Sequence, residues 1–166
     1  MDGLVDDVSW ITPQGWALTL DPATRGASLR DPFTSRTVRL PPDTDGLLAS
    51  SDDTRCVVSA LRPTDPGFVV LVIHRTDPVI CYCRPGGTRW SRHEYQPELL
   101  AGDDEPHNRV NVLYAVVELA AVGGGGGRFY AYLGWVNKLV TIEFSPDLML
   151  WVGQSRWVST AIQPGL

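Results

Sequence analysis

Hydrophobic positions in this chain fall in short runs, and proline or glycine cuts the runs every few residues. In Gly15 to Asp21, Trp16, Leu18 and Leu20 alternate with Ala17, Thr19 and Asp21. A period of two places the first three on one face of a β-strand. Asp21-Pro22 opens a turn, Ala27 to Arg30 returns as a second strand, and Asp31-Pro32-Phe33-Thr34 turns the chain again. Thr37 to Leu40 is a third strand with Val38 and Leu40 facing in, and Pro41-Pro42 ends it because proline cannot donate to a ladder. Residues 15 to 42 therefore read as a three-stranded meander.

The same logic repeats downstream. After an acidic loop over residues 43 to 54, interrupted by Leu47 and Leu48, Cys56 to Leu61 reads as a strand and Arg62 to Gly67 as a turn. Phe68 to Ile73 is unbroken apolar sequence, the pattern of a strand buried on both faces. Thr76-Asp77-Pro78 turns into the strand Val79 to Arg84, and Pro85-Gly86-Gly87 turns into the more polar strand Arg89 to Tyr95. Residues 97 to 109 form a second acidic loop. Asn111 to Val122 suits a strand better than a helix, because it pairs across the run Gly123 to Gly127 with Arg128 to Gly134. Lys138 to Phe144 and Leu148 to Val152 complete a third block. Three blocks spaced by roughly 45 residues have the period of a propeller blade. The predicted fold is all-β: antiparallel meanders of up to four strands forming a partial β-propeller of about three blades. A closed ring takes more blades than the chain holds. The predicted organisation is an N-terminal extension over 1–14, the propeller over 15–153 and a C-terminal tail over 154–166.

Composition narrows the function. The chain has 166 residues, 43% hydrophobic and 20% charged, which is ordinary for one globular domain. Its net charge is −5, and its only lysine is Lys138. No basic cluster supports nucleic-acid binding. No run reaches the roughly 18 apolar residues of a membrane helix. Three cysteines, Cys56, Cys81 and Cys83, and an acidic N-terminus argue against a secreted disulfide framework. The expectation is a cytoplasmic or nuclear protein that engages neither nucleic acid nor membrane.

Candidate chemistry is sparse. Cys81 and Cys83 share a strand face, and with Cys56 and His74 they could be imagined as zinc ligands. Zinc knuckles favour Cys-x2–4-Cys on turns, so core packing is the better reading, and no metal is expected. The glycine run is followed by Arg128-Phe129-Tyr130, not Lys-Ser/Thr at a helix start, so it reads as a hairpin loop, not a phosphate cradle. His74, His93 and His107 are scattered, with His74 a structural histidine at a strand end. Glu118 and Glu143 are lone carboxylates on solvated or edge faces. No nucleophile elbow occurs, and no cofactor or catalytic residue is expected. Among six tryptophans, Trp16 and Trp90 are predicted between blades. Trp151 and Trp157, with Arg156, either form an exposed interface or cover the open face of the last sheet.

Three stretches carry a family resemblance. The first is Gly15-Trp16-Ala17-Leu18-Thr19-Leu20-Asp21 with Leu29-Arg30-Asp31-Pro32-Phe33-Thr34 and Val38-Arg39-Leu40-Pro41-Pro42. The second is Phe68 to Ile73 followed by Cys83-Arg84-Pro85-Gly86-Gly87-Thr88-Arg89-Trp90. The third is Asn111-Val112-Leu113-Tyr114 followed by Gly127-Arg128-Phe129-Tyr130-Ala131. In this order they resemble the KIB-type β-propeller domain of plant F-box proteins. Asp31, Gly87 and Asn111 depart from the residues usual there. The resemblance implies a non-catalytic, protein-binding propeller of the ubiquitin pathway, with an unidentified protein partner. It also implies that the motif residues, Tyr114 among them, serve the fold. No F-box helices precede Gly15, so direct docking to the cullin-ligase adaptor is not expected. Two other readings stay open: a truncated or degenerate copy without activity of its own, and a small enzyme or ligand site at the propeller mouth.

Overall fold

The computed structural model describes residues 8–48, 54–59, 62–65, 67–74, 77–96, 120–121, 128–133, 138–144, 148–152 and 156–158. These residues form three antiparallel sheets in sequence order, the arrangement of successive propeller blades. Sheet 1 holds β1 (Val8–Ile11), β2 (Ala17–Leu20), β3 (Ala27–Arg30) and β4 (Thr37–Leu40). Sheet 2 holds β5 (Thr54–Val58), β6 (Val70–His74), β7 (Val79–Cys83) and β8 (Ser91–Glu94). Sheet 3 holds β9 (Ala120–Ala121), β10 (Arg128–Leu133), β11 (Lys138–Phe144), β12 (Leu148–Val152) and β13 (Arg156–Val158).

The period-two pattern decides how the sheets stack. In sheet 1 the register aligns Val8, Leu20, Ala27 and Leu40 in one row, and Trp10, Leu18, Leu29 and Val38 in another. Both rows face sheet 2, and their side chains pack with Cys56, Val58, Val70, Val72, Val79, Cys81 and Cys83 of that sheet. The intervening rows of sheet 2 point the other way. Val57, Leu71, Ile73 and Ile80 pack with Phe129, Val140, Ile142, Phe144, Leu148 and Leu150 of sheet 3. Sheet 2 is thus apolar on both faces, which is why Phe68 to Ile73 shows no alternation. Edge-to-face rings, Tyr82 with Phe144 at 4.8 Å and Phe129 with Phe144 at 6.0 Å, fill the second core.

Two turns of sheet 1 are copies of one design. In the β2–β3 turn, Asp21 accepts from the Ala23 and Thr24 amides and from the Thr24 hydroxyl, and Arg25 takes a positive φ of 60°. In the β3–β4 turn, Asp31 accepts from the Phe33 and Thr34 amides and the Thr34 hydroxyl, and Ser35 takes a φ of 59°. The sequence Asp-Pro-x-Thr thus closes both hairpins with local side-chain bonds. The threonine hydroxyl first, and then the amides, hold each carboxyl below its ordinary range.

Two boundaries differ from those expected. β1 lies within the stretch assigned to an N-terminal extension, and it makes the expected three-stranded meander four-stranded. β13, in the stretch assigned to a tail, pairs with β12. In both stretches it is the pairing with β2 and with β12, not the sequence pattern, that marks a strand. Of Asn111 to Val122 only the strand Ala120–Ala121 is described; Tyr114, Glu118, His107, the 97–109 loop and the glycine run lie outside the described residues.

Candidate functional site

Three motif residues, Trp16, Pro41 and Trp90, meet at the seam between sheets 1 and 2. Gly15 closes the β1–β2 hairpin with a φ of +86°, a conformation glycine adopts without strain, and so delivers Trp16 to the seam. Trp10 donates its indole N–H to Thr54 Oγ1 at 2.5 Å, joining the first strands of the two sheets. Trp90 donates to the Pro41 carbonyl at 2.7 Å, so the Arg84-to-Trp90 loop is fastened to the Pro41-Pro42 exit of sheet 1. Gly86 supplies a φ of +79° in that loop, while Arg84 is exposed and Pro85 half-buried. Asp31 and Pro32 form the twin turn described above. Trp16 and Trp90 are both buried in the core between the blades, as predicted. Phe129 is fully buried in sheet 3 and Tyr130 is half-buried. For Trp151, Arg156 and Trp157 only the backbone is described: Trp151 pairs with Trp157, and Arg156 with Val152.

Asp43 was not singled out in the sequence, where it reads as the start of an acidic loop. It is 1% exposed. Its carboxylate accepts from Arg25 Nη2 at 2.6 Å and from the Leu47 and Leu48 amides at 2.7 and 3.0 Å. Arg25 Nε donates to the Asp43 carbonyl at 3.0 Å, and the Asp43 amide donates to the Arg25 carbonyl at 2.9 Å. The Leu47 carbonyl in turn accepts from His74 Nε2 at 3.3 Å and from Cys81 Sγ at 3.6 Å. This chain of bonds links the β2–β3 turn, the 43–48 loop and sheet 2. The signal for it was faint: two leucines inside an acidic stretch, directly after a double proline.

The thiols of the described residues are not activated for nucleophilic attack. Cys81 Sγ lies 3.9 Å from His74 Nε2, a thiol beside an imidazole. Burial, however, pushes the Cys81 thiol up to about 12, the reverse of what an activated cysteine needs. Burial raises Cys56 and Cys83 as well, and all three are buried, free thiols in the core between sheets 1 and 2. Among the described residues no three His, Cys, Asp or Glu side chains are grouped to hold a metal ion. His93 Nε2 is buried without a hydrogen-bond partner among the described residues, and burial lowers its pKa. Glu143, read from sequence as a lone carboxylate on a solvated or edge face, pairs with Arg128 across β10 and β11.

The surface offers more than the interior. Ile11 is 72% and Phe33 90% exposed, and both lie at the end of sheet 1 that carries the β1–β2 and β3–β4 turns. A family model described as KIB1-4 beta-propeller matches residues 7–160. No curated protein and no solved structure gives a significant match.

Proposed function

Because the chain belongs to the KIB1-4 β-propeller family, which is associated with F-box proteins, we propose that it is a non-catalytic protein-interaction module of the substrate-recognition type. The observation that carries this reading is the family match over nearly the whole chain. The interior agrees with it: the thiols are buried with raised pKa values, and the Asp43 carboxylate is consumed by three hydrogen bonds within the fold. Such a propeller acts by shape and surface charge. It holds a partner protein in place while another component performs chemistry, as recognition subunits of ubiquitin ligases do.

The test is affinity capture with the purified chain, followed by reconstitution of each captured pair from purified components and calorimetry. A one-to-one complex in the micromolar range or tighter supports the module. If no captured protein rebinds in purified form, the reading fails. Broad, non-cooperative melting of the chain alone would favour a degenerate copy instead.

A further inference from the structure

We propose that the outer face of sheet 1 docks an extended acidic segment of a partner protein, with carboxylates at alternate residues and an apolar side chain beside them. The inference rests on the interaction-module reading and names the surface and the partner chemistry.

Sheets 1 and 2 differ on their two faces. Sheet 2 is apolar on both and is packed on both. Sheet 1 is apolar only toward sheet 2. Its other face carries the rows Ser9, Thr19, Ser28, Arg39 and Ile11, Ala17, Arg30, Thr37. Arg30, Arg39 and Thr37 are exposed. Covering this face with a third apolar sheet would bury two guanidinium groups without counter-charges, a cost such packing does not repay. The face is built for a polar partner or for water.

Its charge selects the partner. No acidic residue stands in either outer row, and neither Arg30 nor Arg39 has an ion-pair partner among the described residues. The nearest acid in sequence, Asp31, has both carboxylate oxygens engaged in its own turn. The protein as a whole carries −5, yet charges farther than about 8 Å are screened at physiological ionic strength, so the local sign prevails.

Geometry sets the spacing. Arg30 pairs with Thr37, and Arg39 lies two residues further along β4. Diagonal neighbours of this kind are about 7–8 Å apart. Alternate residues of an extended peptide are about 6.6–6.8 Å apart. Two carboxylates at positions i and i+2 therefore match the two arginines. Ile11 lies two strands from Arg30 in the same row, and Phe33 stands on the turn that follows Arg30. A hydrogen-bonded turn holds that turn's backbone in place, so an apolar anchor docks there at little ordering cost.

The test uses the full 166-residue chain and a dye-labelled extended peptide whose one face reads Leu, Glu, Glu at alternate residues with Ser between them, read by fluorescence polarisation. Controls are the same peptide with Gln for Glu and vesicles containing anionic phospholipid. Each exposed charge pair contributes up to roughly a fivefold change in affinity. The double variant Arg30→Gln/Arg39→Gln is expected to weaken the Glu peptide by about tenfold, with melting unchanged. Phe33→Ser is expected to weaken both peptides. Equal binding of the Glu and Gln peptides, no binding at millimolar peptide, or an unchanged double variant overturns the proposal. Arginine-dependent binding of vesicles without peptide binding, or an arginine-dependent dimer, also overturns it and reassigns the face. A reconstituted partner that binds the double variant as well as the parent removes this surface but leaves the interaction module standing.

Discussion

Asp43→Ala tests whether the seam between the first two blades is held by a buried charge or only by apolar packing. The substitution removes the acceptor for Arg25 and for the Leu47 and Leu48 amides while leaving all three donors in place. A hydrogen bond to a charged group contributes about 1.5–3 kcal/mol, and removing one partner of a fully buried pair costs about 3–5 kcal/mol. The Arg25 side chain is 36% exposed and the Asp43 side chain 0%, so the guanidinium, still bonded through Nε to the residue-43 carbonyl, regains water at Nη2 while the amides do not. The expected loss is therefore about 3 kcal/mol, below a simple sum of the bonds. For a chain of this size that lowers Tm by roughly 6–12 °C. Asp43→Asn keeps the shape and one acceptor oxygen, so it should cost about half as much. Urea unfolding of Arg25→Ala, Asp43→Ala and the double variant isolates the coupling, expected at about 1–2 kcal/mol. An Asp43→Ala loss under 1 kcal/mol, or additive single losses, would refute the claim that this pair holds the turn to the loop.

Leu71→Ala opens a cavity between sheets 2 and 3, and because Leu71 is fully buried the expected loss is about 2–5 kcal/mol in urea unfolding. With the Cys81 thiol at about 12 and the other two raised further, native protein at pH 8 should leave all three unreacted with an aromatic disulfide reagent, whereas denatured protein reacts at three. Burial holds the His93 imidazole below its ordinary value, so between about pH 6.5 and its folded pKa the unfolded chain binds more protons. Stability should therefore fall as pH drops below about 6.5, and His93→Gln should flatten that part of the curve. Gly86→Ala meets no atom within 4 Å, yet at a φ of +79° it should cost about 1 kcal/mol from backbone strain alone, measured by thermal unfolding.

Much of the fold was legible because propeller sheets obey a local rule. Trp16, Leu18 and Leu20 show their common face by alternation, and the Asp-Pro-x-Thr turns are closed by side chains at most three residues from the aspartate. The buried, structural reading of the cysteines agrees with their place in the first core. Asp43 was not legible. Its partners are Arg25, 18 residues earlier, and two amides of its own loop, and no local pattern announces that a carboxylate will be buried with them.

Local pattern was enough for the all-β class, the order of the blades, the turn positions and the two-faced burial of Phe68 to Ile73. Each of these follows from side-chain period and turn chemistry over fewer than ten residues. Long-range packing was needed to show that Val8–Ile11 completes sheet 1, that Trp10 and Trp90 fasten one blade to the next, and that Asp43 anchors the seam. It also decided that Arg30 and Arg39 share an exposed face with no carboxylate in its rows. Those facts depend on partners brought together from distant parts of the chain, and on which face of a sheet another sheet covers. That information is a property of the packed molecule, because the energy of a buried charge or an exposed one is set by its neighbours in space.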